Sequence, residues 1–243
     1  INMKKIIITG ATGRFGTVLK KFRSKYKILF PTKKQLDILD LKNIRTYLNL
    51  KKPNYLIHLA GLSRPMKIHD QDIIKSIDLN IIGTANVTKA CSERNIKLIY
   101  FSTNYVYPGT KGNYKETDPV FPVNNYAWSK LGGEASVKLY KNSLILRVCM
   151  TERPFVHAKA FGNVKNSFAY HDEIIPKLFK IINEKGVINL GGKSQYIFNF
   201  AKKDNKKVKK IYLAKNSNIG MPFDSSINLF KLKKKLRIKS GDK

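Results

Sequence analysis

Near mid-chain, Tyr126-Ala-Trp-Ser-Lys130 sets a phenol and an ammonium four residues apart. On a helix that spacing puts both on one face. A neighbouring ammonium lowers a phenol's pKa, so Tyr126 becomes a usable proton donor near neutral pH while Lys130 can hold a hydroxylated ligand. Upstream, Ser102-Thr103 closes an apolar run, and the Thr103 hydroxyl can bond and polarise a substrate oxygen. A Tyr-x-x-x-Lys pair by itself is equally the half-exposed face of an ordinary helix. Weight comes from a second string, Gly10-Ala-Thr-Gly13-Arg-Phe-Gly16, with Thr12, Arg14 and Phe15 between its glycines. Gly10 permits a tight turn, Gly13 lets backbone approach phosphates, and Gly16 lets a helix pack close to a strand. The N-terminus of that helix offers unpaired N–H groups to a pyrophosphate. In this order the two strings predict an enzyme moving hydride between a nicotinamide and a carbonyl or alcohol.

Those residues need a scaffold that places strand ends beside helix starts. Lys4–Thr9 is a β-branched apolar run bounded by Gly10 and reads as a buried strand. Helix follows at Arg14–Phe22, strand at Lys27–Phe30, helix at Ile44–Leu50 and strand at Tyr55–Leu59. A long helix is expected over Ile73–Arg94, then a strand at Leu98–Ser102, a helix at Tyr126–Tyr140 and a strand at Leu144–Val148. This alternation predicts an α/β fold, a Rossmann-like doubly wound parallel sheet, with ligands beyond the carboxyl ends of the strands. The pattern loosens near Met150–Phe155, leaving Asp172–Glu184 as helix, Val187–Leu190 as strand and Asn228–Leu236 as helix. The expected division is a nucleotide-binding domain over 1–150 and a small C-terminal substrate-binding lobe over 151–243, interleaved with it.

The end of the second strand selects the cofactor. A carboxylate there binds a ribose 2′-hydroxyl, whereas cations favour a 2′-phosphate. Phe30-Pro-Thr32-Lys33-Lys34 has no acid and Arg14 faces the same region, so NADP is favoured and NAD is the alternative. Thr32 and Lys33 are read as cofactor contacts, and Asp37-Ile38 as neighbours of the adenine. The plain alternative is that these lysines belong to a lysine-rich surface.

With 47 Lys and Arg against 16 Asp and Glu, the 243-residue chain carries a net charge of +31. Such a field attracts polyanions, but the lysines are spread along the chain, with mild concentrations at Lys202–Lys210 and Lys231–Lys239. No basic arm, zinc-ligand set or RNA-binding strand motif accompanies them, so no specific nucleic-acid partner is expected. No apolar run is long enough to span a bilayer and no signal-peptide core is visible, so a cytoplasmic protein without membrane partner is expected. Cys91 and Cys149 read as buried free thiols, and His58, His69, His157 and His171 lack metal-ligand spacing, so no metal is assigned.

The chain resembles the extended short-chain dehydrogenase/reductases, and within them the dTDP-4-dehydrorhamnose reductase group. The resemblance is carried by Thr9–Gly16, Ile57-His-Leu-Ala60-Gly61, Asp78-Leu-Asn80-Ile-Ile-Gly-Thr84, Ser102-Thr103-Asn104-Tyr-Val-Tyr107, Tyr126–Lys130 and Leu146-Arg-Val148. It implies that Thr103 assists the tyrosine, Tyr126 gives the proton and Lys130 anchors the nicotinamide ribose. Ala60 and Gly61 line the cofactor, and Asn80 supports the lysine through the neighbouring helix. Ser63, Arg64, Asn104 and Trp128 are assigned to the substrate, with core packing an equal alternative for Trp128 and Phe161. The implied reaction is NADPH-dependent reduction of a nucleotide-linked 4-keto-6-deoxy sugar by a homodimer paired through the two long helices. Competing readings are an NAD-dependent nucleotide-sugar epimerase and a non-catalytic NADP-binding partner subunit.

Departures narrow the reaction. Where related dehydratases carry Asp-Glu after the threonine, Asn104-Tyr105 stand here, which argues against dehydration. The cysteine that epimerase-reductases place shortly after that threonine is missing. Asn166–Glu173 lacks the Arg-Asp expected before an aromatic, with Lys159 or Lys165 as substitutes, and the substrate lobe is short.

Overall fold

Four β-branched or leucine-rich runs form the inner strands of the main sheet, as their near-continuous apolar character requires of strands covered on both faces. A computed structural model describes residues 3–215 and 220–238. Lys239, in the second lysine cluster, and the last residues of the expected lobe lie outside them.

In chain order the first half contains β1 (Lys5–Thr9), α1 (Arg14–Leu19), β2 (Lys27–Leu29), α2 (Leu41–Lys51), β3 (Tyr55–His58), α3 (Ile68–Gln71), α4 (Ile73–Ile77), α5 (Gly83–Ser92) and β4 (Lys97–Thr103). The second half contains α6 (Asn125–Lys138), β5 (Ser143–Val148), β6 (Met150–Thr151), β7 (Lys159–Phe161), β8 (Lys165–Asn166), β9 (Ala169–Tyr170), α7 (His171–Ile181), β10 (Gly186–Leu190), β11 (Gln195–Tyr196), α8 (Ile197–Ala201), β12 (Lys209–Ile211) and α9 (Phe230–Ile238). Six strands make one parallel sheet in the order β10-β5-β4-β3-β1-β2. Its register sets Ile7 beside both Leu29 and Leu56, and Ile57 beside Ile99.

Three expectations are corrected. Helix α1 stops at Leu19 because Lys21 N and Phe22 N turn to the carbonyls three residues back, Val18 O at 3.1 Å and Leu19 O at 3.0 Å. The helix expected over Ile73–Arg94 is broken by one wider π turn at Asp78–Ile82, where the Asn80 side chain points inward and is buried. Such turns carry an extra residue and re-aim the side chains they hold. Finally, the sheet does not end near Met150–Phe155. Strand β10 rejoins it next to β5, because Ile188 and Leu190 are fully buried and need a sheet neighbour.

The chain divides into two compact units. One comprises Ile1–Ser102, Trp128–Leu146 and Ile182–Val187; the other comprises Thr103–Ala127, Arg147–Ile181 and Ile188–Lys243. The first has a core of Ile7, Leu36, Ile38, Ile44, Leu48, Leu56, Val87, Leu98, Tyr100 and Ile145. Helix α2 shows how its elements are set. Asp40 caps its start by accepting from Asn43 N at 2.9 Å, Ile44 and Leu48 face inward one turn apart, and Lys52 closes it at φ 45° before Pro53. Burying each of those two side chains contributes about 2 kcal/mol. The second unit packs Phe155, Val164, Tyr170, Ile197, Phe200, Val208 and Leu213.

Candidate nucleotide-binding and active site

In the first unit, the Gly10–Gly16 turn is built so tightly that side chains are excluded from it. Gly10 sits at φ +70°, and a Cβ there would meet Ala60 N at 2.5 Å. At Gly16 a Cβ would meet the Ala11 backbone at 2.7 Å, so this glycine lets α1 lie against the turn. Gly13 N donates to Gly10 O at 3.0 Å and Gly13 caps α1. Thr12, Gly13 and Arg14 are exposed at its tip, whereas Phe15 is buried against the Phe101 ring, centroids 5.2 Å apart. Phe15 therefore supports the turn from beneath.

A buried polar relay ties this turn to the next strand. His58 Nδ1 lies 2.8 Å from Thr9 Oγ1, and Nε2 lies 3.1 Å from Thr84 Oγ1. Thr9 Oγ1 also accepts from Ala60 N at 3.3 Å. Burial, helped by the charge of Lys130, pushes the imidazole down to about 3, so His58 stays neutral and acts as a strut.

Beyond β3, Gly61 makes room for Asn80, whose Oδ1 would be 2.7 Å from a Cβ at that position. The Asn80 amide accepts from Leu62 N at 2.7 Å and donates to Leu62 O at 2.9 Å and to Ser129 Oγ at 2.8 Å. The π turn thus aims one amide at both the loop after β3 and the residue preceding Lys130. Helix α6 approaches closely enough that a Cβ on Gly133 would strike Asn80 O at 2.5 Å.

Lys130 is nine-tenths buried, with Nζ 4.3 Å from the Tyr100 ring centroid. Burial pushes its ammonium down to about 7, and the charge of Glu134 opposes that fall. Tyr126 lies one turn earlier on the same helix and is half-buried. Thr103, the last residue of β4, and Asn104 open the second unit. Thr103 Oγ1 accepts from Tyr105 N at 3.3 Å, and the Asn104 amide donates to Asn166 Oδ1 at 2.8 Å and Ser225 O at 2.9 Å. Asn104 thereby links segments 62 and 121 residues away within its own unit.

The remaining expected residues are placed as follows. Thr32 and Lys33 stand exposed after β2, where Thr32 N donates to Gln35 Oε1 at 2.9 Å. Asp37 is half-buried and accepts from Leu39 N at 3.0 Å, whereas Ile38 lies in the core against Gly83. Ser63 and Arg64 are exposed, and Trp128 is 48% exposed. Cys149 is buried and donates to Asn166 Oδ1 at 2.9 Å; burial pushes its thiol up, as for an inert thiol. Ser102 and Glu134 are bonded to each other, and of the two only Glu134 is a residue that the sequence pattern did not single out. The signal was a carboxylate one turn beyond Lys130.

The turn fits a dinucleotide. Its backbone is crowded wherever a side chain would intrude, it carries no carboxylate, and Arg14 within it and Lys33 and Lys34 after β2 are exposed. Among the described residues there is no group of three or more His, Cys, Asp or Glu able to hold a metal, and no helix is long and apolar enough to cross a membrane.

The family model described as RmlD substrate binding domain matches residues 3–156. Methionine adenosyltransferase 2 subunit beta of Xenopus tropicalis is 33% identical over 156 residues, 60% of this chain and 46% of that protein. The dTDP-4-dehydrorhamnose reductase of Aggregatibacter actinomycetemcomitans is 30% identical over 171 residues, 68% of this chain and 55% of that protein. The chain thus spans about half the length of the curated relatives it matches. In fold it is similar to the dTDP-4-dehydrorhamnose reductase of Bacillus anthracis solved with NADP, at TM-score 0.83 and 24% identity, covering 96% of this chain and 92% of that one. With more than half its length matched, the chain belongs to the RmlD substrate-binding-domain family, of the extended short-chain dehydrogenase/reductase type.

Proposed function

We propose that this chain reduces the keto group of a nucleotide-linked 4-keto-6-deoxy sugar, with NADPH as reductant. The observation that carries this reading is α6, which bears the Tyr126 phenol one turn from the buried Lys130, with the Asn80 amide bonded to the intervening Ser129. The Gly10–Gly16 turn, Ala60 and Gly61 hold the dinucleotide, and a reduced nicotinamide held there supplies hydride to the carbonyl carbon. Thr103 bonds the carbonyl oxygen and polarises it. As charge develops on that oxygen, Tyr126 gives it a proton, and the positive charge of Lys130 makes the phenol a stronger acid. Asn80, by fixing Ser129, holds the lysine's segment of α6 in place. Exposed Arg14, Lys33 and Lys34, without a carboxylate after β2, favour the 2′-phosphate of NADP.

A second reading has one observation behind it. Relatives at 33% identity are named as a subunit of methionine adenosyltransferase, so a nucleotide-binding partner subunit is the competing role. In either role, exposed Ile73, Ile74, Ile77 and Ile82 on α4 and its continuation offer an apolar face to a second copy.

The test is oxidation of NADPH and NADH with nucleotide-linked 4-keto-6-deoxyhexoses, beside Tyr126→Phe. Stoichiometric oxidation that falls at least 100-fold in the variant is expected. Cofactor binding without oxidation overturns the reductase reading and favours the subunit; a cofactor that is retained and unconsumed while the sugar changes favours the epimerase. Sedimentation of the same preparation, expected at twice the 27.8 kDa chain mass, reads the pairing.

A further inference from the structure

Lys130 and Glu134 are both buried in the first unit, at 9% and 2% exposure, one turn apart on α6. That spacing puts them on one helix face. A buried carboxylate is costly unless something holds it. Here Ser102, itself buried at the end of β4, donates its hydroxyl to Glu134 Oε2 at 2.7 Å. The same strand supplies Tyr100, whose ring lies under Lys130 Nζ at 4.3 Å and whose hydroxyl donates to Lys130 O at 3.0 Å. Alternate residues of β4 therefore grip both ends of one turn of α6.

The charged and titratable groups around this turn come from four elements. Among the described residues they include Tyr126 and Glu134 on α6, Tyr100 on β4, His58 on β3 and His69 on α3, both histidines feeling the charge of Lys130. Both imidazoles are held toward their neutral forms, chiefly by burial. Glu134 is the acidic member of the set.

We propose that Glu134 is a positioning residue for Lys130, its carboxylate oriented by the Ser102 hydroxyl so that the lysine stays an ammonium at the Tyr126 end of α6. This deepens the reading of Tyr126 and Lys130 given above and rests on it for its catalytic consequence, though not for its electrostatic one. Burial alone drives Lys130 toward its neutral amine, which could neither acidify a phenol nor hold a ribose by charge. Glu134 opposes that drive from within the helix. Ser102 keeps the carboxylate turned inward, so the arrangement spans the last residues of β4 and the middle of α6.

The direct test is competitive acetylation of the whole protein across pH, with Lys130 followed by peptide mass spectrometry. Glu134→Gln keeps the shape and a bond to Ser102 while removing the charge. It is expected to move the Lys130 labelling curve to lower pH by one unit or more, leaving tenfold less ammonium at a given pH above it. Ser102→Ala should move it the same way by about threefold, and Glu134→Asp should restore part of the shift. An unchanged Lys130 curve in a cooperatively melting Glu134→Gln protein overturns the proposal. Should that variant fail to fold, an unchanged curve in Ser102→Ala does so. The second readout is the pH profile of NADPH oxidation. Its alkaline limb, where activity is lost as Lys130 gives up its proton, should move down with the labelling curve. A shifted labelling curve with an unmoved rate profile leaves the electrostatic link standing and sinks the catalytic role of Lys130.

Discussion

The two compact units bury polar atoms in opposite ways. In the first, long parallel strands satisfy their own backbone, and buried side-chain polar groups gather at strand ends, as in Thr9–His58–Thr84 and Ser102–Glu134. In the second, β6, β8, β9 and β11 are two residues each, too short to organise a unit by backbone ladders. Side-chain amides take over. Asn104 donates to Asn166 and Ser225, and Asn189 accepts from Tyr107 while donating to Tyr114 O. Arg147 donates to the Tyr107 hydroxyl at 2.9 Å and lies against its ring, which in turn stacks on Tyr114 at 4.9 Å. The first unit is thus an apolar sheet core with a few polar struts, and the second is a polar network around a smaller aromatic core. Charge does not separate them: Lys and Arg number 24 in the first and 23 in the second, against eight acidic residues in each. The +31 charge is a property of the whole chain and marks no surface.

The largest effect that would expose this difference is acid sensitivity of the strut in the first unit. His58 titrates near 6.5 when unfolded and at about 3 when folded. Above pH 6.5 both states hold it neutral and it adds no pH dependence. Below that, the unfolded chain binds the proton first, so stability falls by about 1.4 kcal/mol per pH unit until the folded pKa is reached. Denaturant melts of wild type and His58→Gln from pH 7 to pH 4 should therefore diverge, the wild type declining more steeply. Parallel profiles would mean that His58 is protonated in the fold.

An intermediate effect belongs to the network of the second unit. Asn189→Ala removes the acceptor of the Tyr107 hydroxyl and one of two donors to the Tyr114 carbonyl, and should cost about 1–3 kcal/mol in denaturant melts, with little change in pH dependence. A loss below about 0.5 kcal/mol would show that neighbouring groups re-pair, and that the network is less cooperative than its connectivity implies.

The smallest effect sits on the surface of the same unit. Arg153, 42% exposed at its side chain, bonds Asp172, Glu173 and Asp204 at 3.0–3.1 Å and covers the Tyr170 ring. Exposed ion pairs are weak and screened, so Arg153→Ala should cost at most about 1 kcal/mol at low salt and less at high salt. A larger, salt-independent loss would place Arg153 among the buried network residues instead.

Legibility in the sequence follows the same line. The Gly10–Gly16 turn, the parallel strands and the Tyr126/Lys130 spacing could be read because each depends on residues close together in the chain. The π turn could not, because Asn80 turns inward to meet Leu62 and Ser129, which lie 18 and 49 residues away. Nor could the burial of Phe15 and Ile38 be read, since it depends on Phe101 and Gly83.

Local patterns of apolar period, glycine and turn residues were enough to determine the α/β class, the glycine turn after β1 and the helix that carries phenol and ammonium together. Tertiary structure alone decided that β10 returns to the sheet, that Ser102 donates to Glu134, and that Asn104 donates to Asn166 and Ser225. The physical reason is range. Backbone conformation is biased by immediate neighbours, whereas the ionisation of a buried lysine and the partner of a buried amide are set by groups that only the folded chain brings within a few ångströms.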